Sequence, residues 1–192
     1  FVGNVKPLIK TNGMQKFLLI LLCPCFLIGQ NYNDEFDSLF ETKNYTQAIQ
    51  KLEVYLSKTS QDLVLLELMG DAYGFQSNWD NAASYYKQLR DLVPSNASYH
   101  YKYGGVLGKQ AKEGAKFKAI GLISKVKTSF LKASELDPNH KEVRWAMVEL
   151  YTQLPGFLGG SYNKALVYAS ELEQLSKLDG VFAKAYIYKS SN

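Results

Sequence analysis

The sequence predicts an all-α fold, a right-handed solenoid of stacked helix hairpins, and three observations carry that prediction. Leu66, Met69, Gly70 and Tyr73 are followed by Ala82, Tyr86 and Pro94, an order of large, small and aromatic residues that suits two antiparallel helices. Ala48 precedes Ala82 by 34 residues, and Gly70 precedes Gly104 by the same interval. A hairpin of this size cannot bury its own apolar face, so recurrence at a constant period implies neighbours stacked against it.

Within the best-defined unit, Gly70 and Ala82 suit the place where two helix backbones approach, and Leu66, Met69, Tyr73 and Tyr86 fill the space around the crossing. Pro94 cannot continue a helix and closes the second one. On these residues the chain resembles the tetratricopeptide repeat (TPR) family, whose unit is 34 residues long. The resemblance implies a concave inner wall built from the first helix of each hairpin, and recognition of a partner instead of catalysis.

The first hairpin is expected over residues 33–56. Phe36, Leu39 and Phe40 give its first stripe, residues 43–45 its turn, and Thr46 a cap for the helix carrying Ala48, Ile49, Leu52, Val54, Tyr55 and Leu56. Glu35 stands where an apolar residue is expected, which suits an end repeat with one wet face. The second hairpin turns at residues 76–79, with Asp80 as its expected cap.

The third opens at Ala97 with Tyr99, Tyr101, Tyr103, Gly104 and Leu107, and Val126, Phe130 and Ala133 form its second helix before Pro138. Ten residues are added between them. This lysine-rich insert, about residues 108–124, reads as extension of both helices across a connection at Gly114 or Gly121. It is either a longer hairpin with solvated lysines or a basic lip suited to an anionic partner or lipid headgroup.

The fourth hairpin starts at Asn139 or His140 and carries Val143, Trp145, Met147, Leu150 and Tyr151. Val148 replaces the expected small residue and should widen that crossing. A long connection follows, in which Pro155 stops the helix, Gly156, Gly159 and Gly160 open unusual backbone angles, and Ser161 caps the helix of Ala165, Leu166, Tyr168, Ala169 and Leu172. Together with the Leu136-Asp137-Pro138-Asn139 turn, this loop resembles that of a subgroup of exported Bacteroidetes-type TPR proteins, some of which accompany solute transporters; the likeness spans about residues 115–189. After a turn at residues 178–180, residues 182–188 begin a final unpaired helix, and the array is expected to be truncated.

Residues 1–13 carry no periodic apolar pattern and are expected to be upstream translation without structure, leaving residues 30–192 as the repeat domain. Residues 14–29 read as a secretory signal peptide: Lys16 supplies positive charge, residues 17–28 are an apolar run, and Gly29 is a small residue before Gln30. The run is shorter than a membrane span and broken by Pro24, which disfavours an anchor. Cys23 and Cys25 lie within it, neither after the small residue that lipidation favours, so a cleaved chain has no disulfide or thiolate site. These features predict an exported protein of the periplasm or cell surface that meets the membrane only through its signal segment before cleavage. The 22 basic and 18 acidic side chains nearly balance once the leader lysines are set aside, which argues against nucleic acid as a partner.

Catalytic constellations are missing from the sequence. His100 and His140 stand in no zinc-binding spacing, no Gly-x-Ser-x-Gly elbow occurs, and the Gly104 to Lys109 stretch is one residue short of a phosphate loop and continues into Gln110. Neither metal nor cofactor is expected. Helical periodicity instead turns Val64, Glu67, Leu68, Asp71, Gly74 and Phe75 inward, then Tyr101, Lys102, Gly105 and Lys109, then Glu142, Trp145, Glu149 and Gln153. Rings for area and charges for orientation suit a segment of another envelope protein. The alternative is a small-solute accessory of a transporter, with the lengthened third hairpin and the loop of Pro155, Gly156, Gly159, Gly160 and Ser161 closing one end of the groove into a pocket.

Overall fold

The structure, a computed structural model, describes residues 29–191. The signal-peptide and upstream-translation readings therefore fall almost wholly outside the described residues. Among the described residues there are nine α-helices and no strand. They form four hairpins and a last helix: α1 (Gly29–Glu41) with α2 (Tyr45–Leu56), α3 (Leu63–Phe75) with α4 (Trp79–Leu92), α5 (Ala97–Glu113) with α6 (Lys116–Leu136), α7 (Lys141–Gln153) with α8 (Tyr162–Leu175), then α9 (Lys177–Ser191). Each helix packs on the next in sequence, and α7 also touches α9, so hairpins are piled in succession, as a solenoid requires.

The 34-residue register is visible in the backbone. Lys43 and Ser77 both take left-handed angles, φ 55° and 56°, at equivalent places in the first two turns. The following asparagines donate their backbone N–H groups back to Leu39 O (2.8 Å) and Tyr73 O (2.9 Å), closing the two helix ends alike. Thr46 and Asp80 are not the caps the sequence suggests. Asn44 and Asn78 occupy the cap positions, and Asn78 Oδ1 accepts from Asn81 N. Thr46 and Asp80 lie just inside the helices, where each accepts from a glutamine of the following hairpin, Gln76 Nε2 (2.9 Å) and Gln110 Nε2 respectively. They tie neighbouring repeats together through a contact that itself recurs at the 34-residue period, Thr46 to Asp80 and Gln76 to Gln110.

Close helix approach follows an exchange of volume. A side chain on Gly70 would place its Cβ 2.7 Å from the Tyr86 ring, and one on Gly104 would lie 2.8 Å from the Phe130 ring. In the fourth hairpin the bulk moves to the first helix. Val148 is fully buried, and Ala169 stands where Tyr86 and Phe130 stand in their hairpins. The first hairpin likewise buries Phe36 and Leu52. Glu35, on the outer repeat, is held by Lys51 and by Tyr55 Oη (3.2 Å).

The insert extends both helices of the third hairpin, as expected, with the break at Gly114–Ala115; Gly121 is helical and exposed. The turn expected at residues 178–180 is instead helical. Ser176 precedes α9, its Oγ accepting from Asp179 N, and Gly180 is buried against α8, where a Cβ would come within 2.4 Å of Glu173 Cα. That glycine permits contact between helices; it does not mark a turn.

Candidate functional site: the inner groove

The first helices α3, α5, α7 and α9 present two open grooves that meet at Tyr101, a residue lining both. The first, of about 460 Å³, is lined from α3 by Asp71, Gly74 and Phe75 and from α5 by Lys102, Gly105 and Lys109, with Trp79 and Tyr86 rising from α4. The second, of about 580 Å³, is lined by Lys141, Glu142 and Trp145 of α7 and by Asp179 and Phe182 of α9. Because the first lies at the C-terminal end of α3 and around the middle of α5, and the second towards the N-terminal ends of α7 and α9, the path crosses the inner wall obliquely.

The floor of the first groove is an ionic knot. Lys102 Nζ lies 2.7 Å from Glu67 Oε1 and 3.0 Å from Asp71 Oδ1, bridging first helices of consecutive hairpins. Tyr86 Oη donates to Asp71 Oδ1 from below, and the Lys102 ammonium stands 5.6 Å from the centre of the Tyr86 ring. Burial opposes the charge on Lys102, but the attraction of Asp71 and the hydrogen bonds to Glu67 and Asp71 outweigh it, so its pKa lies above the ordinary lysine value. Burial, reinforced by Asp71, pushes the Tyr86 phenol far above its usual range. With these charges satisfied among themselves, Lys109 and the rings of Phe75, Trp79 and Tyr101 are left for a ligand. Phe75 is 61% exposed at the groove mouth, braced at 5.0 Å by the stacked Tyr45 ring.

Tyr101 is half-buried between Phe130 (6.1 Å between ring centres) and His140 (5.1 Å). Burial first, then Glu142 and Glu149, raise its phenol pKa. Trp145 leans on Tyr186 at 6.0 Å, and Gln153 Nε2 donates to the Tyr186 hydroxyl at 2.8 Å.

Of the residues expected to face inward, Asp71, Gly74, Phe75, Tyr101, Lys102, Gly105, Lys109, Glu142 and Trp145 line these two grooves, and Glu67 joins through Lys102. Val64, Leu68, Glu149 and Gln153 line neither. Sequence periodicity missed Trp79 and Tyr86, which reach the groove from a second helix, and Lys141, Asp179 and Phe182. Phe182 could have been found from its register on the last first-type helix; the reach of the Tyr86 hydroxyl beneath Gly70 had no sequence signal.

The loop takes a separate course. Gly156–Leu158 forms one 3₁₀ turn, Gly159 takes φ 94°, and Ser161 Oγ accepts from Lys164 N at 3.3 Å, the cap expected of it. Backbone N–H groups of Gly160 and Ser161 donate to Pro155 O (3.1 Å) and Tyr151 O (2.8 Å). A Cβ on Gly160 would overlap Leu154 O. None of Pro155, Gly156, Gly159, Gly160 and Ser161 lines either groove.

Among the described residues no group of three or more His, Cys, Asp or Glu side chains could hold a metal ion, and no helix is long and apolar enough to cross a membrane.

No family model and no curated protein matches the sequence. Solved structures do match. The fold is similar to that of TTC0263, a thermophilic TPR protein of Thermus thermophilus, with a TM-score of 0.68, 16% identity, and coverage of 85% of this chain and 82% of that one. It is also similar to the MamA protein, with a TM-score of 0.64, 15% identity, and coverage of 84% and 81%. The described residues thus adopt the fold of a tetratricopeptide repeat solenoid.

Proposed function

We propose that this chain is a non-catalytic protein–protein interaction module of the bacterial cell envelope, which holds a segment of a partner protein along the oblique groove. The carrying observation is that two open, aromatic-lined grooves share Tyr101 and so offer one continuous path across three first helices to α9. Phe75, Trp79, Tyr101, Trp145 and Phe182 supply area, while Lys109 at one end and Glu142 with the Lys141–Asp179 pair (3.8 Å) at the other add charged contacts. The likeness in fold to TTC0263, described as a TPR protein, supports recognition over chemistry. The leader read in the sequence supports the envelope location. The solute-accessory reading needs an enclosed pocket, and the loop that would close one lies apart from both grooves.

The test is affinity for a segment identified by crosslinking to the groove. Tyr101→Ala is expected to weaken that segment about tenfold or more, in the range of an aromatic interface anchor. Unchanged affinity would mean that the path through Tyr101 is not the binding surface.

A further inference from the structure

The turns joining first to second helices share one edge of the solenoid, and two of them project beyond the rest. Where α4 and α8 begin three residues before Ala82 and Ala165, α6 begins ten residues before the equivalent Val126, and α5 is lengthened to match. At about 1.5 Å per residue this prong stands roughly 10 Å proud of its neighbours. The other projection is the 154–161 loop, whose tip is Phe157, 85% exposed. The backbone hydrogen bonds around Pro155 and Tyr151 hold this ring outward from an ordered loop.

Positive charge gathers on these two projections. No carboxylate occurs from Gly114 to Ser134 or from Gln153 to Ser170, whereas the prong carries Lys112 and Lys125 exposed, with Lys116 and Lys118 added by the sequence, and Lys164 opens α8 beside the loop. Lys127 and Lys164 stand 5.7 and 5.6 Å from the centre of one ring, Tyr151, so the bases of the two projections form one basic seam. Glu113, at the end of α5, accepts from Trp79 Nε1 at 2.6 Å. The opposite edge carries both signs: Asp62, Asp91, Asp137 and Asp179 stand there with Lys58, Lys87, Arg90, Lys141 and Lys177, and Asp91 and Asp179 pair with Lys87 and Lys141. Beside the lysines, Ile120 is exposed on the prong as Phe157 is on the loop.

We infer that this edge docks on an anionic lipid surface, the lysines of prong and loop meeting headgroups while Phe157 and Ile120 enter the interface. An acidic protein segment would use the charge but not two separated apolar tips. A lipid surface uses both, since headgroup attraction and shallow apolar insertion add. Docking through these two projections gives the molecule one orientation on the surface.

Sedimentation of the full chain with phosphatidylcholine vesicles, with and without phosphatidylglycerol, tests this. The apolar stretch at residues 17–28 contributes alike to wild type and variants, so the readout is the part of binding that depends on both phosphatidylglycerol and the edge residues. Joint replacement of Lys112, Lys125 and Lys164 by glutamine is expected to cut binding to anionic vesicles about tenfold or more. All three are exposed, and unchanged circular dichroism confirms folding. In Phe157→Trp, the added emission should shift to the blue with anionic vesicles and be quenched by brominated lipid. Binding independent of phosphatidylglycerol, wild-type binding by the triple variant, solvent-like emission from position 157, or equal displacement by soluble polyglutamate would each overturn the inference.

Discussion

Phe130→Ala is expected to cost about 3–5 kcal/mol in urea unfolding, because it empties the space where the third hairpin is closed. Phe130 is 5% exposed, sits over Gly104, and backs the Tyr101 ring that joins the two grooves. Gly104→Ala in the wild-type background should also destabilise, by about 1–3 kcal/mol, since its Cβ meets the Phe130 ring at 2.8 Å. In the Phe130→Ala background the ring contact is gone and Ser129 Cβ, at 3.0 Å, is the close neighbour left, so with the better helix propensity of alanine the same change should cost clearly less. Non-additivity of about 1–3 kcal/mol between the two positions is the expected result. Additive costs would mean that the small residue is not there to admit the ring.

Lys102→Met should be the most damaging change on the groove floor, at about 2 kcal/mol, because it leaves Glu67 and Asp71 without their shared cation. The pH dependence has a definite sign. Lys102 has a folded pKa above its unfolded value, so its contribution is complete below the ordinary lysine pKa of about 10.4 and is lost as pH rises through the raised folded value. The buried Tyr86 phenol, also raised, acts in the same direction from about pH 10 upward, because folding opposes its ionisation. The urea midpoint should therefore fall in alkali, and Tyr86→Phe should flatten that fall. An identical alkaline decline in wild type, Tyr86→Phe and Lys102→Met would show that the knot does not stabilise the groove floor.

The piled hairpins were legible because Gly70, Gly104, Ala48 and Ala82 mark helix crossings by size alone, and size at a constant period survives variation elsewhere. Helix starts were less legible. Asn44 and Thr46, and likewise Asn78 and Asp80, are both competent caps two residues apart, and the choice rests on a glutamine one repeat later that occupies the second of each pair. Val148 read alone implies a wider crossing; the compensating Ala169 lies on the partner helix, where only packing connects them. In the groove, helical periodicity identified the inward face of each first helix but not how one face is offset from the next. Glu149 and Gln153 therefore share a face with Trp145 yet fall off the oblique path. Residues donated from second helices, Trp79 and Tyr86, lie outside any pattern confined to first helices.

If the inner wall, and not the outer one, takes a partner segment, the two walls should differ in what they touch. A photoreactive amino acid placed in turn at Phe75, Tyr101 and Phe182 on first helices, and at the exposed Val54 and Val167 on second helices, tests this in an envelope extract. The predicted result is one and the same protein crosslinked from all three inner positions and from neither outer one. Capture of that protein equally from Val54 or Val167, or of unrelated proteins from each inner position, would contradict it.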